Sequence, residues 1–306
     1  MSMAVSLNLT VGILGELSLG HAGFMSVGAF SGIVVSQSLA GLIPNGPVRL
    51  ALSMFIGALL AALVGLLIGT PVLRLQGDYL AIVTLAFGEI IKELINCLII
   101  GCDEKGLHFV FNLSGNKTVD DLGLSANGTA IIKGAQGATG TATIATFTAG
   151  FILVMITLIV VLNLTRSRAG RAIMAIRDNR IAAQAIGLNL TKYKLMAFVT
   201  SAALAGAAGA LFGLNYSSLQ ATKFNFNLSI LVLVFVVLGG LGNIWGSLAA
   251  AALTILPEAL RPLHDYRMLI YAIVLIFVML ATNNPQAKAF FQRLLPHHRA
   301  SAEKED

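Results

Sequence analysis

Apolar segments long enough to cross a bilayer recur along this chain and limit the folds open to it. A helix of about 20 apolar residues spans the hydrocarbon core. The predicted spans are Met3–Leu17, Phe24–Ala40, Val48–Ile68, Tyr79–Ile100, Thr143–Leu164 and Leu195–Leu214, followed by shorter segments at Leu228–Leu238, Ser247–Leu260 and Met268–Ala281. Backbone polar groups in lipid must be satisfied internally, and the alternating pattern of a β-barrel is absent. We therefore predict an all-α, polytopic transmembrane bundle of about 8–10 segments, some broken or re-entrant.

Charge is too scarce for a soluble domain. Only 11% of the residues are charged and 57% are hydrophobic, whereas soluble proteins carry about 25% charged residues. We predict one transmembrane domain over residues 1–285 and a polar cytoplasmic tail over 286–306. The net charge of +6 comes from basic residues beside the spans, which indicates contact with membrane lipid and an orientation signal rather than nucleic-acid binding.

The polar stretch Arg166–Lys194 is densely basic and predicts which end of the bundle faces the cytoplasm. Its single acid is Asp178, and its basic residues are Arg166, Arg168, Arg171, Arg177, Arg180, Lys192 and Lys194. Placing this stretch inside puts Arg74 and the C-terminal tail inside as well, in agreement with the positive-inside rule. The 103–142 loop and the N-terminus then lie outside.

Within the basic stretch, the pattern predicts a short surface helix. Asp178 or Asn179 is a suitable N-cap, the alanine-rich segment from Arg180 to Ile186 favours helix, and Gly187 is a natural stop. Two roles remain open: an amphipathic connector lying on anionic lipid, or a docking element for a cytoplasmic protein.

Polar residues inside the spans mark candidate path residues. His21 lies in a break flanked by Gly20 and Gly23, and a broken helix is tolerated only where it is buried in protein or lines a cavity. Glu89 lies within the fourth span with Lys92 three residues later, so the two side chains can pair. For these three side chains, structural packing and a place on the translocation path both remain open.

A glycine cluster late in the chain predicts a second break. It comprises Gly239, Gly240, Gly242 and Gly246. A phosphate loop is excluded because no strand precedes the cluster and no GK[ST] follows. No Walker motif, catalytic triad or metal-ligand set occurs anywhere in the sequence.

The longest polar section, Asp103–Thr141, is rich in Gly, Asn, Ser and Thr. We expect an exposed loop with little regular structure and one short strand at His108–Phe111. Cys97 and Cys102 precede it; we expect them unpaired, with a disulfide as the alternative if the helix unwinds there.

Several motifs together resemble one transporter family. They are LSLGHAGFMSVGAF (17–30), LRLQGDYLAIVTLAFGEIIK (73–92), GRAIMAIRDNRIAAQAIGLNLTKYKLMAF (170–198) and VVLGGLGNIWG (236–246). In this order they resemble branched-chain amino acid permeases of ABC uptake systems, most closely the M-type subunit. The family often has a Glu near the position of Arg180, and the 103–141 loop has no counterpart among these motifs.

The resemblance implies a role and a set of partners. The role is a permease subunit that is not itself an enzyme, in the cytoplasmic (inner) membrane of a bacterial cell. The partners are a second permease subunit, two ATPase subunits that carry ATP and Mg²⁺, and an extracytoplasmic substrate-binding protein; this chain binds no cofactor. The resemblance also implies an ATPase-coupling set formed by Asp178, Asn179, Arg180, Ala182, Ala183, Ala185, Ile186 and Gly187. Alternatives are a permease for a related solute such as urea or an amide, and an ion-coupled secondary transporter, which Glu89 favours.

Overall fold

The computed structural model describes residues 1–252 except 42, 76, 104–105, 113–121 and 123–127. The α-helices are α1 (Ser2–Asn8, continued as a π-helix at Leu9–Ile13), α2 (His21–Ser38), α3 (Gly46–Val72), α4 (Asp78–Asn96), α5 (Phe147–Arg166), α6 (Arg168–Asp178), α7 (Arg180–Ala185), α8 (Leu190–Gly213), α9 (Phe226–Leu238) and α10 (Ile244–Ala252). The strands are β1 (Leu98–Asp103), β2 (Gly106–Phe111), β3 (Thr129–Lys133), β4 (Ala138–Thr139) and β5 (Ser218–Leu219). The 3₁₀ turns are Gly134–Gln136 and Ala221–Phe224.

The helical bundle that the sequence predicts is confirmed. Among the described residues, α3, α5 and α8 are long and apolar enough to cross a membrane, and Ser2–Ile13 and Phe226–Leu238 are shorter apolar helical segments. Large apolar side chains on α3 and α5 point outward: Leu67 is 73% exposed and Phe151 61%. So many exposed apolar side chains on the outside of a helical bundle are typical of surfaces that face lipid or another membrane subunit.

Small residues bring the central helices α2, α3 and α8 into close contact. A Cβ on Gly28 would collide with the backbone of Gly206, and a Cβ on Gly209 would collide with the backbone carbonyl of Met25. Close backbone approach through small residues is how helices associate in lipid, where burial of apolar surface supplies little driving force. This explains the run of Ala and Gly within α8.

The two ends of the bundle differ. The backbone N–H of Ala145, just before α5, donates to the carbonyl of Leu214, just after α8, at 3.3 Å. The start of α5 and the end of α8 therefore lie at one end of the bundle, together with the sheet to which β5 belongs. Helices α6 and α7 connect the other ends of α5 and α8, so they lie opposite the sheet.

The prediction that 103–141 has little regular structure is wrong for its described part. This section supplies β2, β3 and β4, which join β1 before it and β5 after α8 in a five-stranded antiparallel sheet of order β2-β1-β3-β4-β5. The fourth predicted span is also too long, because α4 ends at Asn96 and the chain continues as β1. Ile99 and Ile100 pair with Lys133 and Ile132 of β3 and are buried, so the apolar residues after α4 fill the core as a strand and not as helix.

Two other predictions for this region agree with the structure. The strand predicted at His108–Phe111 is confirmed as part of β2. Cys97 and Cys102 are unpaired, as expected. The predicted segments beyond residue 252, including Met268–Ala281 and the 286–306 tail, lie outside the described residues.

Candidate functional site

The α6–α7 hairpin has the local structure that its sequence predicts. Helix α6 buries Ala172, Ile173 and Ile176. The Asn179 side chain accepts a hydrogen bond from the N–H of Ala182 at 3.0 Å and so caps α7. Gly187 ends the turn with φ of +84°, a conformation that favours glycine. Of the two candidate caps, Asn179 fills the position, while Asp178 pairs with Arg177 at 3.2 Å.

The exposed face formed by α7 and the residues after it consists of apolar and small side chains. Ile181 is 81% exposed and Ile186 76%, and Ala182, Ala185 and Gly187 are also exposed. Ala183, by contrast, is only 2% exposed, so it packs against its own chain and does not belong to the exposed face. Ile181 was not among the predicted coupling residues, although an isoleucine in a short polar loop is the kind of signal that points to a contact surface.

The break between the first helix and α2 comprises residues 14–20, earlier than predicted, because His21 and Gly23 already lie in the first turn of α2. Ser18, Gly20 and His21 are buried, whereas Gly15 and Leu17 are exposed.

The His21 side chain is 1% exposed, and its Nε2 lies 2.9 Å from Ser6 Oγ and 3.5 Å from Ser201 Oγ. Thr10 Oγ1 donates to Ser201 Oγ at 2.8 Å. Within the described part of the chain, His21 Nδ1 and the buried Ser18 Oγ have no hydrogen-bond partner.

Gly20 in the break and Gly23 in the first turn of α2 bring this region against α4. A Cβ on Gly20 would collide with the carbonyl of Thr84, and a Cβ on Gly23 would lie 3.0 Å from the Cα of Gly88. The N–H of Leu19 donates to Thr84 Oγ1 at 3.1 Å. The broken segment is therefore fixed to α4 by hydrogen bonding as well as by close packing.

Glu89 and Lys92 form the predicted ion pair on α4. The other carboxylate oxygen of Glu89 accepts the N–H of Phe226 at 3.1 Å, which caps the first turn of α9. Glu89 also lines a cavity of about 10 Å³, the size of one water molecule, beside Gly23 and Ser229. His21 does not line this cavity, so the structure does not bring His21 and Glu89 together.

Gly239, Gly240 and Gly242 form the predicted break between α9 and α10, whereas Gly246, predicted as part of the break, lies inside α10. Gly240 and Gly242 have φ of +89° and +82°, and the backbones of Gly239 and Gly246 lie too close for a Cβ on either. The N–H of Gly242 donates to Asn8 Oδ1 at 3.0 Å. This turn therefore packs directly on the first helix.

A charged cleft near α7 was not predicted. Its volume is about 300 Å³, and its charged lining residues are Glu16, Asp78, Arg177, Arg180 and Lys194. Lys194 pairs with Glu16 across a sequence separation of 178 residues, with side chains 5% and 14% exposed. No sequence pattern predicts contact between residues so far apart in the chain.

The described residues contain no group of three or more His, Cys, Asp or Glu side chains that could hold a metal ion.

One protein family matches most of the chain. The family described as "Branched-chain amino acid transport system / permease component" matches residues 2–279. The chain belongs to this family. No solved structure matches it.

Relatives match the chain over different shares of its length. The high-affinity branched-chain amino acid transport system permease protein LivM of Escherichia coli K12 is 34% identical over 91% of this chain, and LivM of Salmonella typhimurium is 33% identical over the same share. The chain spans 65% of the length of these two proteins. LivH of Escherichia coli K12 is 30% identical over 37% of this chain and 38% of its own length. The ribose import permease protein RbsC of Haemophilus influenzae is 32% identical over the same two shares.

Proposed function

We propose that this chain is the transmembrane permease subunit of an ATP-driven ABC importer for branched-chain, aliphatic amino acids. The observation that carries the proposal is α7, a short capped helix at the end of the bundle opposite the sheet. Ile181 in this helix and Ile186 directly after it are exposed on the protein surface. Membership of the branched-chain amino acid permease family supports the substrate class.

In this proposal α7 and its flanking residues are the contact with an ATPase subunit. The contact is made by Arg180, Ala182, Ala185, Ile186 and Gly187, together with Ile181. Asp178 and Asn179 shape the turn that presents them, and Ala183 anchors the helix to the bundle. ATP and Mg²⁺ are bound by two ATPase chains, and closure of those chains moves α7 and shifts the bundle between two arrangements.

The remaining partners follow from the same assignment. A second permease subunit packs on the apolar outer faces of the bundle, and a substrate-binding protein delivers the amino acid at the sheet end. The α6–α7 end then faces the cytoplasm of a bacterial cell, in the inner membrane. Similarity to both LivM and LivH, each described as a permease protein of a branched-chain amino acid system, supports pairing of two related permeases.

In this proposal the translocation path runs beside the polar residues and helix breaks of the bundle. His21, Glu89 and Lys92 are its candidate polar residues. Gly20, Gly239, Gly240 and Gly242 lie at the backbone breaks that allow helices to shift, and Gly23 and Gly246 lie in the first turn of the helix after each break. Glu89 is paired with Lys92 and caps α9; this structural role for the carboxylate favours the ATP-driven importer over ion-coupled transport. A related small solute such as urea or an amide remains the alternative cargo, and ligand binding by the partner binding protein distinguishes it.

Copurification with the ATPase tests the assignment of α7. We expect Ile186→Asp to abolish copurification of the ATPase subunits, because a carboxylate replaces a 76% exposed apolar side chain at the contact. Leu107→Asp is the matched control, since Leu107 is 41% exposed on β2 at the opposite end. Full recovery of the ATPase with the Ile186 variant would remove α7 as the docking element.

A further inference from the structure

Arg177 connects the α6–α7 hairpin to the end of the first helix, just before the break. It lies at the end of α6, two residues before Asn179, the cap of α7. Its Nη1 donates to the carbonyl of Gly12 at 2.8 Å, across 165 residues of sequence. The Nε and Nη2 atoms of the same guanidinium donate to Asp178 at 3.2 Å. One side chain therefore holds the hairpin and the first helix together.

The carbonyl of Gly12 belongs to the last turn of that helix. Just beyond the helix, the N–H of Leu14 donates to the carbonyl of Leu9 and the N–H of Glu16 donates to the carbonyl of Thr10, both at 3.1 Å. Carbonyl groups at a helix C-terminus lack intrahelical donors and carry partial negative charge. A guanidinium is well suited to this position, because it supplies both the hydrogen bond and the positive charge.

Glycines make room for the arginine at this contact. Gly15 has φ of +79°, and a Cβ there would lie 2.5 Å from Cγ of Arg177. A Cβ on Gly242, in the turn between α9 and α10, would lie 3.3 Å from the carbonyl oxygen of Gly12 and 3.5 Å from Nη1 of Arg177. Arg177 thus contacts the backbone at the start of the break and lies beside the second glycine break.

A second charged contact joins the same two regions. Lys194, near the start of α8, pairs with Glu16 inside the break. Both this pair and Arg177 line the cleft of about 300 Å³. The segment that contains α7 is therefore attached to the broken helix before α7 begins and again after it ends.

We propose that Arg177 is the positioning residue that transmits movement of α7 to the break at residues 14–20. A pull on α7 acts through Asp178 and Asn179 on the guanidinium, and through it on the end of the first helix. The break then changes its arrangement together with α7. The Lys194–Glu16 pair holds the start of α8, which follows α7, against the break during this movement. This inference rests on the proposed function, because it assigns a coupling role within the same importer.

The test measures uptake per ATP hydrolysed. The permease, its partner permease, the ATPases and the binding protein are reconstituted in liposomes with leucine as the probe. Arg177→Met keeps the aliphatic stem and removes the guanidinium. We expect the ATPases to copurify as with the unaltered chain and hydrolysis to continue, while leucine uptake per ATP falls roughly tenfold, the scale of losing one charge-assisted hydrogen bond.

Arg171→Met is the matched control. Arg171 lies on α6 and donates to the carbonyl of Arg166 beside it, not to the first helix, so its loss should leave uptake per ATP unchanged. Equal ratios in the Arg177 and Arg171 variants would overturn the inference. If Arg177→Met fails to assemble, Arg177→Gln decides: lowered uptake per ATP supports the role and an unaltered ratio overturns it.

The two proposals fail in different ways. If the unaltered chain recovers no ATPase, the proposed function is overturned and the coupling role falls with it. If the unaltered complex assembles and transports leucine but the Arg177 variant transports at the same ratio, only the coupling role is overturned.

Discussion

Lys194 illustrates at the scale of one residue how a charge is kept inside a largely apolar bundle. Its side chain is 5% exposed and lies against Glu16. Removing one member of a buried ion pair leaves the other charge buried without compensation, which is costlier than removing both. The sequence alone could not reveal this pair, because Lys194 reads as one of several cations in a basic loop.

Replacing one member of this pair should therefore destabilise the protein more than replacing both. We expect Lys194→Met to lower the free energy of unfolding by about 3–5 kcal/mol. The double variant Glu16→Gln with Lys194→Met should recover much of that loss. Thermal unfolding of the purified protein in detergent measures both, and a double variant less stable than the single one would contradict the pairing.

At the scale of single elements, local patterns were sufficient for α7 but not for the sheet. The cap at Asn179 and the stop at Gly187 are encoded by residue type within a few positions. Strand β1, in contrast, pairs with β2 on one side and with β3 on the other. The residues of β1 are apolar and follow α4 directly, so in the sequence they look like the last turns of that helix. Only pairing with β2 and β3 distinguishes a strand from a helix here.

The close contact between α2, α3 and α8 predicts different outcomes for two glycines in apolar helices. A Cβ on Gly206 of α8 would lie 2.7 Å from the carbonyl oxygen of Gly57, a backbone atom that cannot move aside. A Cβ on Gly150 of α5 would meet only the Leu211 side chain at 3.6 Å, an ordinary contact.

We therefore expect Gly206→Ala to destabilise the bundle by about 1–3 kcal/mol through overpacking. Gly150→Ala is its matched control and should be neutral or stabilising by up to about 1 kcal/mol, because alanine favours helix. Melting temperatures of the two variants in the same detergent measure the difference. Equal melting temperatures would show that α2, α3 and α8 tolerate wider spacing.

At the scale of the whole molecule, charge predicts an orientation that the fold makes testable. The structure places α6 and α7 at one end and the sheet at the other. The basic residues of 166–194 put the first end in the cytoplasm under the positive-inside rule. Reporter sites exist at both ends, since Ile186 on the hairpin is 76% exposed and Phe109 on β2 is 57% exposed.

A cysteine at each site, in a chain whose Cys97 and Cys102 are replaced by serine, should react oppositely with a membrane-impermeant maleimide. The chain is produced without the ATPase subunits, which would otherwise cover Ile186. We expect Phe109→Cys to be labelled in intact cells and Ile186→Cys only after the membrane is permeabilised. Labelling is measured on the purified chain, and uptake by the cysteine-free chain in the complete importer confirms that this chain folds. Labelling of Ile186→Cys in intact cells would place α7 outside, where no ATPase could reach it, and would overturn the orientation and the proposed ATP-driven role together.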